Sequence, residues 1–179
     1  TAIVTLALGI GATTAVFSLV NAVLLGPLPY REAGRLVMIR NTAPRTGTAW
    51  PVSYADFQDW KRDSRAFEDM EALQLEQFNL TGAGDAVRII GMRASAGLLP
   101  LLGVRPALGR GLLPSDESTV GNASVLLTHG LWLRRFGGAR DVVGRSVTMN
   151  GIPFTVVGVM PPSFVFPMRV DVVASVNLD

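Results

Sequence analysis

The sequence predicts an α+β domain at residues 31–179 that follows a single N-terminal transmembrane helix at residues 2–26. Residues 2–25 contain no charged side chain, and a helix of that length extends about 36 Å, enough to cross a hydrocarbon core of about 30 Å. From residue 31 onward, strand and helix patterns are mixed without a regular strand–helix–strand period. This mixture favours an α+β arrangement.

The apolar N-terminal segment has two alternative interpretations: a buried helix of a soluble domain and a cleaved signal peptide. It is longer than the about 7–15 apolar residues of a secretory signal, and no clear small-residue cleavage site follows it. We therefore expect a span in a lipid bilayer. Arginines at positions 31, 35, 40 and 45 would place the following end in the cytoplasm. Without a preceding flank for comparison, these charges do not orient the helix.

Small side chains recur on one face of this predicted helix at intervals of three or four residues. They are Ala7, Gly11, Ala15, Ser18 and Ala22. Such a face lets a second helix approach closely in lipid. The alternative is that membrane helices are generally rich in glycine and alanine. We expect the face to pack against another helix.

A helix is predicted from Ser53 through Asp63. Ser53 has an N-capping side chain, and Asp56 stands three residues later, as in an acidic version of the capping box. The aromatic residues in and before this helix fit either a ligand-binding box or a core stripe at helical spacing, and we favour the core stripe. They are Trp50, Tyr54, Phe57 and Trp60.

Two hairpins account for most of the predicted sheet. Residues 72–81 and 86–95 are strands around a turn at 82–85, and residues 145–149 and 152–159 flank Asn150-Gly151, which is typical of a type I′ turn. The remaining predicted elements are a strand at 36–39, a loop at 41–52, a helical piece at 98–102, a loop at 105–121, a strand at 124–128, a helix at 130–136 and a strand at 170–173.

The residues typical of catalysis, metal binding or nucleotide binding do not form a recognisable pattern. The sequence has one histidine, His129, and no cysteine, so a zinc site lacks its usual ligands. At a strand-to-helix junction, a capping or structural role is expected for His129. No phosphate loop or dinucleotide fingerprint is present. We therefore predict no enzyme and no cofactor.

Charged residues give two further expectations. Asp56, Asp59 and Asp63 share one face of the predicted helix, which fits either metal or acid–base chemistry or a solvated face paired with Lys61 and Arg62; we favour the solvated face. The other basic residues are scattered along the chain rather than clustered with aromatic residues. Nucleic-acid binding is therefore not predicted.

Several segments in order along the chain resemble MacB-type ABC transporter permeases, with the duplicated orphan permeases (the ADOP group) as the most similar branch. They are TLALGIGA at 5–12, VNAVLL at 20–25, PLPY at 27–30, VSYADFQDW at 52–60 (the branch has VSYPDFLDW), FNLTG at 78–82, LGVRPALGR at 102–110, LW at 131–132, RRFGG at 134–138, NG at 150–151 and VVGVMPP at 156–162. The last strand departs from the pattern, because Val173 and Ser175 stand where the family usually has Trp and Pro.

The resemblance implies a cytoplasmic N-terminus, one span, and a MacB-like periplasmic core domain of two lobes outside the bacterial inner membrane, here incomplete at its C-terminal end. It implies an ABC-type ATPase on another chain and packing with other permease helices or a second permease copy. The first helix would be a lever, and Pro27 and Pro29 would be a stiff coupling hinge to the domain.

The implied function is that of a permease subunit that couples ATP-driven helix motion to export or release of a substrate. The alternative is a signal transmitter that regulates an extracytoplasmic partner protein. In that case the segment from residue 109 to 121 would dock the partner, with Arg110, Asp116 and Glu117 as its charged residues. A membrane-anchored enzyme is the third class, and no residue pattern favours it.

Overall fold

The computed structural model of the 179-residue chain describes residues 2–20, 30–42, 46–47, 49–50, 52–82, 84–117 and 123–176. The chain divides into two units, Thr1–Arg35 and Leu36–Asp179. The first contains helix α1 (Ala2–Val20) and a 3₁₀ turn (Ala33–Arg35). No helix in the described part of the chain reaches the length and apolarity that a membrane span requires. Residues 21–26, the end of the predicted span, lie outside the described residues.

The second unit combines helices with a mixed sheet, which confirms the predicted mixture of α and β elements. Its helices are α2 (Tyr54–Asp63), α3 (Leu98–Leu101) and α4 (His129–Phe136), and its 3₁₀ turns are Pro114–Asp116 and Arg140–Val142. Its strands are β1 (Asn41–Thr42), β2 (Ala49–Trp50), β3 (Leu73–Thr81), β4 (Val87–Ala94), β5 (Leu108–Gly109), β6 (Ser124–Leu127), β7 (Ser146–Met149), β8 (Ile152–Val159) and β9 (Val172–Ser175).

Seven of the described strands form one sheet in the order β5-β8-β6-β9-β4-β3-β7, whereas β1 and β2 pair with each other. Strand β7 pairs both with β3 and with β8, so the sheet closes on itself. The β4–β9 and β6–β8 pairs are parallel, and the other pairs in the sheet are antiparallel. The described residues of the second unit are not divided further, and the two lobes stay a prediction.

Both predicted hairpins are confirmed. Strands β3 and β4 pair from Leu73 to Leu80 of β3. Strands β7 and β8 are joined by Asn150 and Gly151, which have φ angles of 53° and 81°. Glycine adopts the second of these angles without a steric penalty, as a type I′ turn requires. Asn150 also fixes the turn to β3, because its side-chain oxygen accepts from the Asn79 N–H at 2.8 Å.

The core lies inside the closed sheet and is completed by Leu131 of α4. Strands β6 and β9 are buried at every position, as expected for strands in the middle of a sheet that is covered on both faces. The rings of Phe78 and Phe154 meet edge-on, with their centroids 6.3 Å apart. The Arg93 guanidinium lies 5.5 Å from the Phe78 centroid and is paired with Glu76 at 2.6 Å.

The Phe78 ring lies over the backbone of Gly91 on the neighbouring strand. A Cβ added at Gly91 would stand 2.4 Å from Phe78 Cε2 and 2.7 Å from Val172 Cγ2. Such distances are far shorter than a van der Waals contact, so the packing of this part of the core requires glycine at position 91.

The N-terminal caps of α2 and α4 are local features of the sequence. Ser53 Oγ accepts from the Asp56 N–H at 3.1 Å, as the capping pattern predicts. Helix α4 is capped by Thr128, whose hydroxyl accepts from the Leu131 N–H at 3.5 Å. The cap is therefore the residue before His129. The His129 ring instead packs edge-on against Trp132, with centroids 5.5 Å apart, which is a structural role.

Two sequence expectations differ from the structure. Residues 36–39 have the composition of a strand but form none, and three of their side chains are 46–67% exposed. Strand formation requires a pairing partner, which composition does not supply. The core stripe on α2 is correct for Phe57, which is 8% exposed, but wrong for Trp60, which is 40% exposed. The side chain of Trp50 lies outside the described residues.

Candidate functional site

The predicted helix-packing face lies on α1. Ala7, Gly11 and Ser18 are exposed there. The side chain of Ala15 is outside the described residues, as are Ala22 and the two hinge residues, Pro27 and Pro29. Packing of this face and the hinge role therefore stay predictions.

The charged residues of the predicted docking loop are engaged within the domain. Asp116 is 5% exposed, and its carboxylate accepts from Arg110 Nη1 at 2.6 Å, from the Leu113 N–H at 2.8 Å and from Ser124 Oγ at 2.8 Å. Burial alone would raise the pKa of Asp116, but the bonds from Arg110, Leu113 and Ser124 outweigh it and hold the pKa below its usual range. Asp116 thus fixes the shape of the loop.

Glu117 joins this loop to the N-terminal end of α2. Its Oε2 accepts from the Tyr54 hydroxyl at 2.8 Å, and its Oε1 accepts from the Ala96 N–H at 2.5 Å. Burial and the Glu117 carboxylate both disfavour the phenolate, and they raise the pKa of Tyr54 to about 12. Gln58, one helical turn further along, donates to the Tyr54 oxygen at 2.8 Å.

Glu71 forms the corresponding contact at the C-terminal end of α2. Its side chain is 4% exposed; one carboxylate oxygen accepts from Lys61 Nζ and the other from Ser95 Oγ. A Cβ at Gly97 would stand 2.2 Å from Glu71 Oε1, so the carboxylate occupies space that only glycine leaves free. Burial alone would lower the pKa of Lys61, but its bonds to Glu71 and Asp69 outweigh burial and raise it.

We call Tyr54, Lys61, Glu71, Ser95 and Glu117 the α2 junction. Ser95 and Ala96 directly follow β4, so both carboxylates are fixed to the same end of the sheet. The Ser95 hydroxyl oxygen also accepts from the Ala72 N–H at 2.8 Å. Chemically, the junction is a set of satisfied hydrogen bonds between a helix and a sheet, suited to holding or releasing the helix.

The aspartates of α2 lie on a solvated face, as predicted. Arg62 pairs with Asp59 at 2.6 Å and with Asp63 at 3.0 Å, and all three side chains are at least 60% exposed. Lys61, which the sequence assigned to the same pairing, reaches Glu71 and Asp69 instead. In the described part of the chain, no group of acidic or histidine side chains is arranged to hold a metal ion.

An apolar groove of about 420 Å³ lies beside the C-terminal half of α2, and Asp59 and Asp63 also line it. Its apolar lining comes from Ile39, Trp60, Phe67 and Met70, and the first three are 40–46% exposed. Neither this groove nor the role of Glu71 is predicted by the sequence. The spacing of Phe57 and Trp60 signals an apolar face but not which side is covered, and Glu71 lies 24 residues from Ser95 with no local motif between them.

Comparison with known proteins shows the fold to be shared with extracytoplasmic regions of bacterial proteins. The chain has 15% identity to the periplasmic region of MacB from Actinobacillus actinomycetemcomitans, with a TM-score of 0.56 over 81% of this chain and 60% of that one. It has 14% identity to the extracellular domain of the noncanonical ABC-type transporter YknZ from Gram-positive bacteria, with a TM-score of 0.55 over 71% of this chain and 63% of that one.

The chain therefore spans less than two thirds of the length of either solved domain. Functionally curated proteins give no significant sequence match. The sequence profile of the MacB-like periplasmic core domain, however, matches residues 1–177, nearly the whole chain. This match covers both α1 and the closed sheet, and the chain belongs to the family of MacB-like periplasmic core domains.

Proposed function

We propose that the chain is part of an ABC transporter permease whose extracytoplasmic domain couples ATP-driven motion of membrane helices to export or release of a substrate. The observation that carries this proposal is the family match over residues 1–177, with the likeness to the extracytoplasmic domains of MacB and YknZ as support for the fold. An ABC-type ATPase on another chain supplies the hydrolysis.

In this proposal residues 2–26 cross the bacterial inner membrane, and residues 31–179 belong to a core domain on the outer side. Support comes from α1 and from the uncharged sequence, which continues to residue 25. The small-residue face of α1 packs against another permease helix or a second permease copy.

The packing face is tested by replacing Gly11 and Ala15 with Leu and measuring assembly by cross-linking in membranes. Both side chains would fill the space that a neighbouring helix needs, so the cross-linked fraction should fall at least about tenfold, equivalent to about 1.4 kcal/mol. Gly9→Leu is the matched control, because position 9 lies on a different face of the helix. Unchanged assembly of the double variant would remove the packing proposal.

The coupling is tested by replacing Pro27 and Pro29 with Gly. Glycine removes the fixed φ angles that stiffen the connection, so motion of the helix would be lost in the linker. We expect ATP hydrolysis by the intact transporter to continue while transported substrate accumulates in the cell. Full transport by this variant would refute the lever.

Export is distinguished from partner regulation by two measurements. A strain that lacks the gene should accumulate the substrate if the protein is an exporter. Specific capture of an extracytoplasmic protein by the domain would favour the signal transmitter. In that case we propose that the docking loop contacts its partner through Arg110 and Leu113, whose exposures of 44% (side chain) and 45% leave them accessible, while Asp116 and Glu117 hold the loop in shape.

A further inference from the structure

Helix α2 has little apolar attachment to the rest of its unit. Of its ten side chains, Phe57 alone is buried, and the described core cluster inside the closed sheet takes no residue from α2. Burial of one phenylalanine contributes only about 1.5–3 kcal/mol. Most helices in globular proteins depend on a buried apolar face, so α2 must be held in another way.

The α2 junction supplies the other attachment, and it does so at both ends of the helix. Tyr54, the first residue of α2, donates to Glu117, and Lys61, in the last turn, donates to Glu71. These four side chains provide one contact at each end. The middle of the helix contributes Phe57.

The two acceptors are held in place by the sheet rather than by α2. Glu117 accepts from the Ala96 N–H, and Glu71 accepts from the Ser95 hydroxyl. Both bonds remain when the helix moves away, so each carboxylate keeps a partner and needs water only for its second oxygen. A buried polar group that stays partly satisfied costs far less than an orphaned one.

From this arrangement we infer that α2 is a detachable element, which leaves and rejoins the domain at the α2 junction while the closed sheet stays folded. Glu71 and Glu117 stay bound to the sheet, and they are the acceptors that α2 leaves and rejoins. In sequence, α2 is the first α-helix after α1. If the proposed lever function holds, force from α1 reaches α2 along the chain before it reaches the sheet.

Detachment has a measurable signature in amide hydrogen exchange. A free ten-residue helix is marginal in water, so α2 loses its own backbone protection each time it detaches. We expect α2 amides in the complete chain to exchange at least about tenfold faster than those of β4 and β9, as a separate unit of low stability would. Equal protection of α2 and these strands would overturn the inference.

Two variants test whether the contacts of the α2 junction hold the helix in place. Tyr54→Phe removes one hydroxyl and keeps the ring. It should speed α2 exchange by about 10- to 100-fold, the loss expected for one hydrogen bond to a charged group. Glu71→Gln should have a larger effect at the same amides. Neither variant should change exchange in β4 or β9 by more than about twofold. An equal acceleration across the sheet would show that α2 unfolds only with the whole domain, and would refute the inference.

Asp59→Asn is the matched control, because Asp59 lies on the exposed face of the same helix and, among the described residues, its carboxylate pairs with Arg62 alone. It should alter α2 exchange by less than about twofold. An effect as large as that of Tyr54→Phe would mean that the exchange reports helix propensity rather than docking. The measurement needs no ATPase and no substrate, so its result is independent of whether the transport proposal holds.

Discussion

Replacing Asp116 by Asn removes one negative charge from a buried site while keeping the shape of the side chain. In the native fold this carboxylate accepts from Arg110, from the Leu113 N–H and from Ser124 Oγ. An amide keeps one acceptor oxygen and turns an NH₂ group toward donors on the other side. The Leu113 N–H and Arg110 Nη1 share Oδ2, so both keep an acceptor only if the amide oxygen takes that place; Arg110 Nη2 and Ser124 Oγ then face the NH₂ group.

The structure sets the size of the effect. A hydrogen bond to a charged group contributes about 1.5–3 kcal/mol, and an unsatisfied buried donor costs about 1–3 kcal/mol. The Arg110 side chain is 44% exposed, so its guanidinium forms hydrogen bonds to water in the variant. The lost ion pair therefore contributes little to the loss of stability. We therefore expect Asp116→Asn to lower the free energy of unfolding by about 2 kcal/mol, or the melting temperature by about 4–8 °C in a domain of this size.

The assay is chemical and thermal unfolding of residues 36–179, which form a compact unit of their own. Because the pKa of Asp116 is lower in the fold than its usual 3.8, its contribution is complete above about pH 4 and is lost as pH falls below that value. The stability difference between wild type and Asp116→Asn should therefore be constant near neutral pH and shrink as pH falls below about 4.

A matched control is Asp141→Asn, which removes a carboxylate that is 70% exposed and pairs with Arg145 at the surface. It should leave stability nearly unchanged. If Asp116→Asn unfolds within about 0.3 kcal/mol of wild type, below the range for a lost buried bond, the carboxylate has no structural role. That result would refute the argument from its buried hydrogen bonds.

Two further predictions concern other parts of the domain. The phenol of Tyr54 should titrate near pH 12 by ultraviolet absorbance, and Glu117→Gln should return its pKa toward 10.0. Because the folded pKa is raised, the contribution of the protonated phenol to stability is complete below pH 10 and is lost as pH approaches 12. A titration near pH 10 in the wild type would contradict the contact between Tyr54 and Glu117. Gly91→Ala should destabilise the domain by about 1–3 kcal/mol, because its Cβ would overlap the Phe78 ring. Gly111→Ala, where the nearest atom is 4.0 Å from the added Cβ, is the control, and equal melting of the two variants would contradict the packing argument.

Local sequence patterns predicted the elements whose cause is local. The Asn150-Gly151 turn requires positive φ angles that these residues tolerate, and Ser53 caps its helix through a bond to a residue three positions away. Both hairpins and the helix at 54–63 follow from such signals. The mixed α and β composition of the domain was therefore predictable.

Features that depend on distant residues were not predictable from one sequence. Tyr54 and Glu117 are separated by 63 positions, and Glu71 and Ser95 by 24, so no periodic pattern links the members of the α2 junction. Residues 36–39 have strand composition without a strand partner in the described chain, because pairing is a property of the whole sheet. Trp60 was assigned to the core because helical spacing predicts an apolar face on α2 but not which part of that face another element covers.

The position of β9 has a consequence for how the domain forms. This strand is the last of the described sheet in sequence, yet it lies between β6 and β4. During synthesis from the N-terminus the other six strands of the sheet appear first. They can connect β4 to β6 through β3, β7 and β8, but the direct gap between β4 and β6 is filled only by residues 172–175. Long-range pairing of this kind is slow, since the intervening chain must close before any contact forms. The sheet therefore closes only after nearly all of the described chain has been synthesised, because β9 supplies both pairings across this gap.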